Sequence, residues 1–395
     1  MGAACRYRIL CVVGTRPEAI KMAPVIFELK NSPWAEPMLV LTGQHRELVR
    51  DALADFDMKP DIDFDIMMPS QTLTDVVGAL ITKLGRAFDE YAPQIVLGQG
   101  DTATALAAAL AAFLKGIPFG HIEAGLRSGD LSSPFPEEFN RKIATLAATI
   151  HFAPTQRAKS ALLQEGVDSS TVFVTGNTGI DAVRLAKSAA SPVIPKSDKA
   201  LVLMTLHRRE NFGERARNIF VAIRNFSLSR PDVQFVFPVH PNPQVREIAE
   251  AILGNQAGVT LLQPQSYLSM IALMNSAKII LTDSGGIQEE APFLGKPVLV
   301  LRTETERWEA VEAGASKLVG ADHQLITREL TSLLDNANFY ASMARQSKIF
   351  GDGFAANRIV NALKKQLDSM HSKRGGAPNG SRITTSGSPL LVDGV

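Results

Sequence analysis

The sequence predicts an α/β protein of two similar halves, each a parallel sheet wrapped in helices, facing each other across one hinge. Three observations carry that reading. Short apolar runs bounded by Gly, Pro or Asp alternate with longer segments of helical period, the pattern of parallel strands joined by crossover helices. The series occurs twice, on either side of a stretch at 188–199 that is rich in Ala, Ser, Pro and Lys and lacks apolar periodicity. The length of 395 residues suffices for two or three domains, each with its own core.

In order, strands are expected in the first half at 9–13, 38–41, 95–97, 119–122, 151–153 and 172–174. Helices fill the gaps. The clearest spans 102–115: it is rich in Ala and Leu, follows Asp101 as a capping residue, and stops at Gly116 with Pro118 just beyond. A helix from about 180 leads into the linker. The second half repeats the pattern, with strands at 200–205, 234–239, 259–262, 278–282 and 297–301. The expected domains are therefore 1–178 and 179–354, with a final helix at about 355–370 packing back on the first. Residues 371–395, rich in Gly and Ser and without periodicity, are expected to be a disordered tail.

Composition removes several functions. Lys plus Arg number 41 against 40 Asp plus Glu, a net charge of +1 that offers nucleic acid or an anionic membrane no overall attraction. The longest strongly apolar stretch, 103–114, is well short of the roughly 20 residues that cross a bilayer. The N-terminus has no full apolar core of a secretory signal, so a cytoplasmic location is expected. Cys5 and Cys11 support neither a disulfide framework nor a metal site, and Cys11 reads as a small core residue.

In open parallel sheets ligands bind beyond the carboxyl ends of the strands, so the loops after the strands carry the information. After the first strand come Gly14, Thr15, Arg16, Pro17 and Glu18, with Lys21 on the next helix. A glycine turn with free backbone N–H groups, a helix start and two cations suit a phosphate, although solvated charges at an ordinary turn explain the segment equally well. After the strand at 278–282 come Asp283, Ser284, Gly285 and Gly286, and then Glu290 one turn into a helix. The glycines let backbone approach a diphosphate, and Glu290 can offer a carboxylate to a ribose diol. Gly98, Gly100 and Ala103 mimic a dinucleotide fingerprint, but Asp101 would place a carboxylate where the pyrophosphate must lie, which argues against NAD.

Asp101, Glu123 and Glu137 stand on three loops that can aim acids into one crevice. Each also has a plain reading, as an N-cap, as a partner of Arg127, and as a first-turn acid. In the second half, His207 and His240 follow equivalent strand ends, with Arg208 and Arg209 beside the first of them.

The segments Gly14–Glu18, Gln44–Arg46, Gly100–Thr102, His121–Arg127, Pro136–Glu138, His207–Glu210, His240–Pro243 and Thr282–Glu290, in this order, resemble the non-hydrolysing UDP-N-acetylglucosamine 2-epimerases. The resemblance covers about residues 8–365 and implies two Rossmann-like domains of the glycosyltransferase B type, with UDP on the C-terminal half. It implies that Arg16, Lys21, Gln265, Met270, Ser284, Gly285, Gly286, Glu290 and Arg307 hold UDP, and that Asp101, Glu123, Glu137 and His207 surround the reacting sugar. It also implies a second, allosteric UDP-N-acetylglucosamine site near Gln44, Arg46, Arg209 and His240. Gln99, Met270 and Trp308 depart from the residues usual at their positions, a His, an aromatic and a Pro. Reversible epimerisation at C2, with UDP-N-acetylglucosamine and UDP-N-acetylmannosamine as partners, no cofactor, no metal and a homodimer, is the implied outcome. A hydrolysing epimerase, a glycosyltransferase, or a catalytically silent UDP-sugar sensor are the alternatives. Acids packed together in a closed cleft are expected to have raised pKa values, which suits alternating proton donation and acceptance.

Overall fold

The computed structural model describes residues 6–43, 46–68, 70–189, 191–195 and 197–375, without the side chains at 46, 47 and 373–375. The first sheet contains β1 (Tyr7–Val13), β2 (Ala35–Leu41), β3 (Ile62–Asp63), β4 (Ile95–Gln99), β5 (Phe119–Ile122), β6 (Ile150–Ala153) and β7 (Val172–Val174). Its order is β3-β2-β1-β4-β5-β6-β7, parallel throughout. The second contains β8 (Ala200–Thr205), β9 (Val233–Pro238), β10 (Val259–Leu262), β11 (Ile279–Thr282), β12 (Val298–Val300) and β13 (Ser316–Leu318). Its order is β10-β9-β8-β11-β12-β13, again parallel throughout. The central strands are apolar on both faces because helices cover both, as parallel sheets require.

In each sheet the chain reverses its direction of winding once, between β1 and β4 and between β8 and β11. A crevice opens at such a point because the loops on either side turn away from each other. The four loops that flank these crevices begin at Gly14, Gly100, Leu206 and Asp283, the loops the sequence marks as unusual.

Three differences from the sequence reading have physical causes. The edge strands β3 and β13 went unrecognised because they are two and three residues long and contain one apolar side chain each. β2 starts before Pro37 rather than after it, with Pro37 opposite Ile9 in the register. The helix Ala103–Leu114 is capped by Thr102, whose hydroxyl accepts from the Ala105 N–H at 3.2 Å, and not by Asp101.

The helix Ala355–Gly375 runs five residues into the segment expected to be a tail; 376–395 lies outside the described residues. It begins on the buried carboxylate of Asp181, which accepts from the N–H groups of Ala355 at 3.1 Å and Ala356 at 2.9 Å. It then packs on the helices Arg16–Lys30 and Thr178–Ala189, with the Tyr7 hydroxyl donating to Asp368 at 3.1 Å. Helix Thr178–Ala189 also touches Tyr267–Ser276 and Gly285–Phe293 from the second half. One apolar cluster consequently runs from Ile9 and Leu97 through Ile180 and Val183 to Leu203 and Ile280, joining the two halves. Cys11 sits inside it, and burial pushes its thiol up to about 12, far from reactivity; Cys5 lies outside the described residues.

Candidate active site

Gly14 ends β1 where the backbone passes so close to Thr104 and Thr42 that any Cβ would overlap their hydroxyls, at 2.0 and 2.4 Å. The turn is fixed by Glu18, which is buried and accepts from the Gly14 N–H at 3.0 Å, the Thr15 N–H at 2.7 Å and the Thr102 hydroxyl at 2.6 Å. The two N–H groups read from sequence as free for a phosphate are therefore taken by Glu18. Burial, opposed by these bonds, raises Glu18 to about 7. What the loop offers a ligand is its cations. Arg16 reaches across the cleft and donates to the Gln265 carbonyl at 3.0 Å, while the Lys21 ammonium lies 2.5 Å from Glu123 and 3.9 Å from Glu289.

Of the three acids expected around the sugar, Asp101 and Glu123 are each paired with a cation, and one oxygen of Glu137 is left without a hydrogen-bond partner. Oδ2 of Asp101 meets both Nε of Arg141 at 2.8 Å and its Nη2 at 2.6 Å, while Thr102 caps the helix. Arg141 also binds the fully buried Glu138 at 3.0 Å. Glu123 sits at a φ of 66°, in the left-handed region, so its side chain leaves the strand end toward Lys21 and accepts from Gln99 at 2.6 Å. Arg127 instead binds Glu165 at 2.7 Å, which overturns the reading of Glu123 as its partner. Glu137 opens the helix Glu137–Ala147, and its Oε2 is buried without a hydrogen-bond partner. An acceptor in that condition costs free energy unless a donor arrives. Burial raises Glu18, Glu290 and, under the final helix, Asp181; Glu290 reaches about 8 through desolvation and then the charge of Glu289, and Asp181 about 6.

The second half supplies a helix start and cations. Ser284 stands at the N-cap position of Gly285–Phe293 without a side-chain capping bond, and the first N–H groups of the helix have no partner within it. The guanidinium groups of Arg307 and Arg208 converge on Gly285, 3.4 and 3.5 Å from where a Cβ would stand, while Gly286 has no such neighbour. Arg307 is held by Glu289 at 2.8 Å, and its N–H donates to Thr305, whose hydroxyl donates to Gln288 at 2.7 Å; this anchors the loop in which Trp308 departs from the usual Pro. Glu290 accepts from the buried Tyr267 hydroxyl at 3.2 Å, beside Gln265 and the half-buried Met270. His207 rests its Nδ1 on Asp283 at 2.9 Å, and its ring lies 6.1 Å from that of His240. Arg209 is exposed on the same loop; Gln44 and the Arg46 side chain lie outside the described residues.

Sequence reasoning missed Arg208, Glu289, Arg141 and Asn177. Arg208 is legible only as a neighbour of His207, and Asn177, which donates to Glu289 at 2.8 Å, lies in no segment that the sequence singles out. Among the described residues no group of three His, Cys, Asp or Glu is placed to hold a metal ion, and no helix is long and apolar enough to cross a membrane.

Two parallel sheets with facing switch points, acids on one and a cation-flanked helix start on the other, define an α/β nucleotide-sugar enzyme of glycosyltransferase B architecture. The profile of the UDP-N-acetylglucosamine 2-epimerase family matches residues 27–364. The UDP-N-acetylglucosamine 2-epimerase of Escherichia coli K12 is 47% identical over 375 residues, covering 92% of this chain and 100% of that one. That of Bacillus subtilis is 44% identical over 378 residues, covering 93% and 100%. The crystal structure of UDP-GlcNAc 2-epimerase from Neisseria meningitidis bound to UDP-GlcNAc superposes with a TM-score of 0.86 at 44% identity, covering 91% of this chain and 100% of that chain. The chain belongs to the UDP-N-acetylglucosamine 2-epimerase family.

Proposed function

We propose that the cleft interconverts UDP-N-acetylglucosamine and UDP-N-acetylmannosamine by elimination and re-addition of UDP. The observation that carries this reading is the division of labour across the cleft: Asp101, Glu123 and Glu137 stand on one side, and the Gly285 helix start with Arg307 and Arg208 on the other. A UDP-sugar lying between them has its diphosphate on the cations and its sugar among the acids.

The C2 proton is not alpha to a carbonyl, so a carboxylate cannot remove it directly. As the C1–O bond breaks, its electron pair leaves on the β-phosphate oxygen and C1 gains oxocarbenium character, which acidifies C2–H. One carboxylate then takes that proton as the C1–C2 double bond of 2-acetamidoglucal forms. Arg16, Lys21, Arg307, His207 and the helix start stabilise the departing charge. Protonation of C2 from the opposite face, with UDP returning its oxygen to C1, gives the epimer. Two acid/base groups on opposite faces are needed, and the three carboxylates supply them. Glu290 holds the ribose, and Gln265 and Met270 line the uracil side, with Ser284, Gly285 and Gly286 on the diphosphate. Arg209 and His240, with Gln44 and Arg46, form the second UDP-N-acetylglucosamine site. The first domain, 1–178 with the C-terminal helix, carries the acids; the second, 179–354, carries UDP. The molecule works as a cytoplasmic homodimer.

Incubation with UDP-N-acetylglucosamine in heavy water tests this by NMR. The expected product is UDP-N-acetylmannosamine with deuterium at C2 and the original hydrogen at C1, unaffected by added NAD. An unlabelled C2 excludes the elimination. Free N-acetylmannosamine would mark a hydrolysing epimerase, transfer to an acceptor a glycosyltransferase, and binding without turnover a sensor.

A further inference from the structure

Asp283 is wholly buried where β11 ends, and all its partners lie on the loop that carries His207. Its Oδ2 accepts from the N–H groups of Arg208 at 2.8 Å and His207 at 3.0 Å and from the Asn211 amide at 3.0 Å. Its Oδ1 accepts from the His207 N–H at 3.1 Å and faces the His207 Nδ1 at 2.9 Å. Both oxygens thus serve backbone donors and are acceptors only. The negative form prevails: burial alone would raise this carboxyl, but the bonds from His207, Arg208 and Asn211 outweigh it and hold it low. An acceptor-only oxygen against Nδ1 requires that Nδ1 carry the proton. The neighbouring His240 does not compete, since its own Nδ1 accepts from the Asn242 N–H at 3.2 Å.

We infer that Asp283 is a positioning residue for the reaction: it fixes His207 as the Nδ1–H tautomer and turns Nε2, the opposite ring nitrogen, to the reacting diphosphate. The inference rests on the proposed epimerisation for the role of His207, but the tautomer itself does not. Catalysis at a ring nitrogen needs that nitrogen in a defined direction and state, and a buried carboxylate on the other nitrogen supplies both. Asn211 braces the pair by donating also to the Leu301 carbonyl at 3.0 Å, which ties the His207 loop to the end of β12.

The substitution Asp283→Asn separates charge from shape. Its amide oxygen is drawn to the Arg208 and Asn211 donors, which leaves the NH2 against His207 and forces Nδ1 to accept, the opposite tautomer. Turnover of UDP-N-acetylglucosamine is expected to fall roughly 10²- to 10⁴-fold, with UDP affinity changed less than about threefold. In a His207→Ala background the same substitution is expected to cost little more, because a residue acting through His207 has nothing left to act on. The decisive measurement needs no variant of Asp283: ¹⁵N-histidine NMR of the intact protein, with His207→Gln to assign the signal. A neutral ring seen as Nδ1–H supports the inference. A neutral ring seen as Nε2–H overturns it, as does an Asp283→Asn protein with unchanged tautomer and turnover. Absence of epimerisation by the intact protein would instead overturn the functional reading, whatever the tautomer.

Discussion

Lys21 and Glu123 meet at 2.5 Å across the mouth of the first crevice, one from the helix after β1 and the other from the end of β5, both nearly buried. The pair is not isolated. Glu289 of the second half lies 3.9 Å from the same ammonium and binds Arg307 at 2.8 Å, so a run of alternating charges crosses the cleft. Burial by itself would depress the Lys21 ammonium, but Glu123 and Glu289 outweigh it and hold it above its ordinary value. A diphosphate entering this run finds cations already desolvated and oriented, and it competes with two carboxylates for them.

Lys21→Met is therefore expected to cost twice. UDP affinity falls by at least tenfold in titration calorimetry, and unfolding free energy falls by about 3–5 kcal/mol, because an anion is left buried without its partner. Adding Glu123→Gln to the same chain should restore most of the stability and none of the turnover. A double variant no more stable than the single one would show that the pair is not the source of the loss.

The carboxylates can be told apart from their surroundings by exchange for amides. Asp101→Asn, Glu123→Gln and Glu137→Gln are each expected to lower kcat by roughly 10²-fold or more, with UDP affinity near normal. Arg16→Ala should weaken UDP binding as well, since it spans the cleft. Single-turnover and binding measurements on the four proteins check this. Near-native turnover in all three amide variants would make the acids structural.

Why some of this was legible and some was not follows from the range of the interactions. β1, β4 and β11 are continuous apolar runs, and their terminal glycines and charges are local, so the crevice loops could be located without coordinates. The identity of partners is not local. Asp101 was read as a cap because a carboxylate before a helix usually is one, yet Arg141, 40 residues on, binds it while Thr102 does the capping. The Gly14 and Thr15 N–H groups looked available because nothing in Gly-Thr-Arg-Pro-Glu says that Glu18 folds back and takes both. Glu289 and Asn177, 112 residues apart, become a contact only when the two sheets face each other. β13 carries Ser, Lys and Leu and has no pattern of its own; its pairing with β12 defines it.

Burial makes an unusual prediction for pH. Glu18 and Glu290 are raised to about 7 and about 8, chiefly by desolvation, so the folded chain binds their protons more tightly than the unfolded one. That contribution is complete below the ordinary carboxylate range and is lost as pH rises through 7 and 8. His121 and His151, buried and lowered chiefly by desolvation, act in the other direction, but only below their unfolded value of 6.5. Unfolding free energy from urea titrations should accordingly decline from pH 7 to 8.5 without UDP, and Glu290→Gln should flatten part of that slope. A stability that rises across this interval would contradict the assignment.

Regulation is the most demanding expectation, because it needs two sites to communicate. The His240 ring lies 6.1 Å from the His207 ring, so a ligand held by His240 and Arg209 would have a direct neighbour in a residue proposed to act on the diphosphate. A second UDP-N-acetylglucosamine can favour the closed cleft only by binding it better than the open one, and the contacts of Arg16 on the Gln265 carbonyl at 3.0 Å and of the Tyr267 N–H on Asp55 at 2.7 Å already join the two halves. UDP-N-acetylmannosamine alone should then turn over slowly, with a lag that traces of UDP-N-acetylglucosamine abolish. His240→Ala should raise the concentration needed for that activation while Nδ1 of His207, anchored on Asp283, stays in place. Progress curves from pure UDP-N-acetylmannosamine decide the matter: hyperbolic kinetics with no lag and no response to added UDP-N-acetylglucosamine would confine the ligand to a single site.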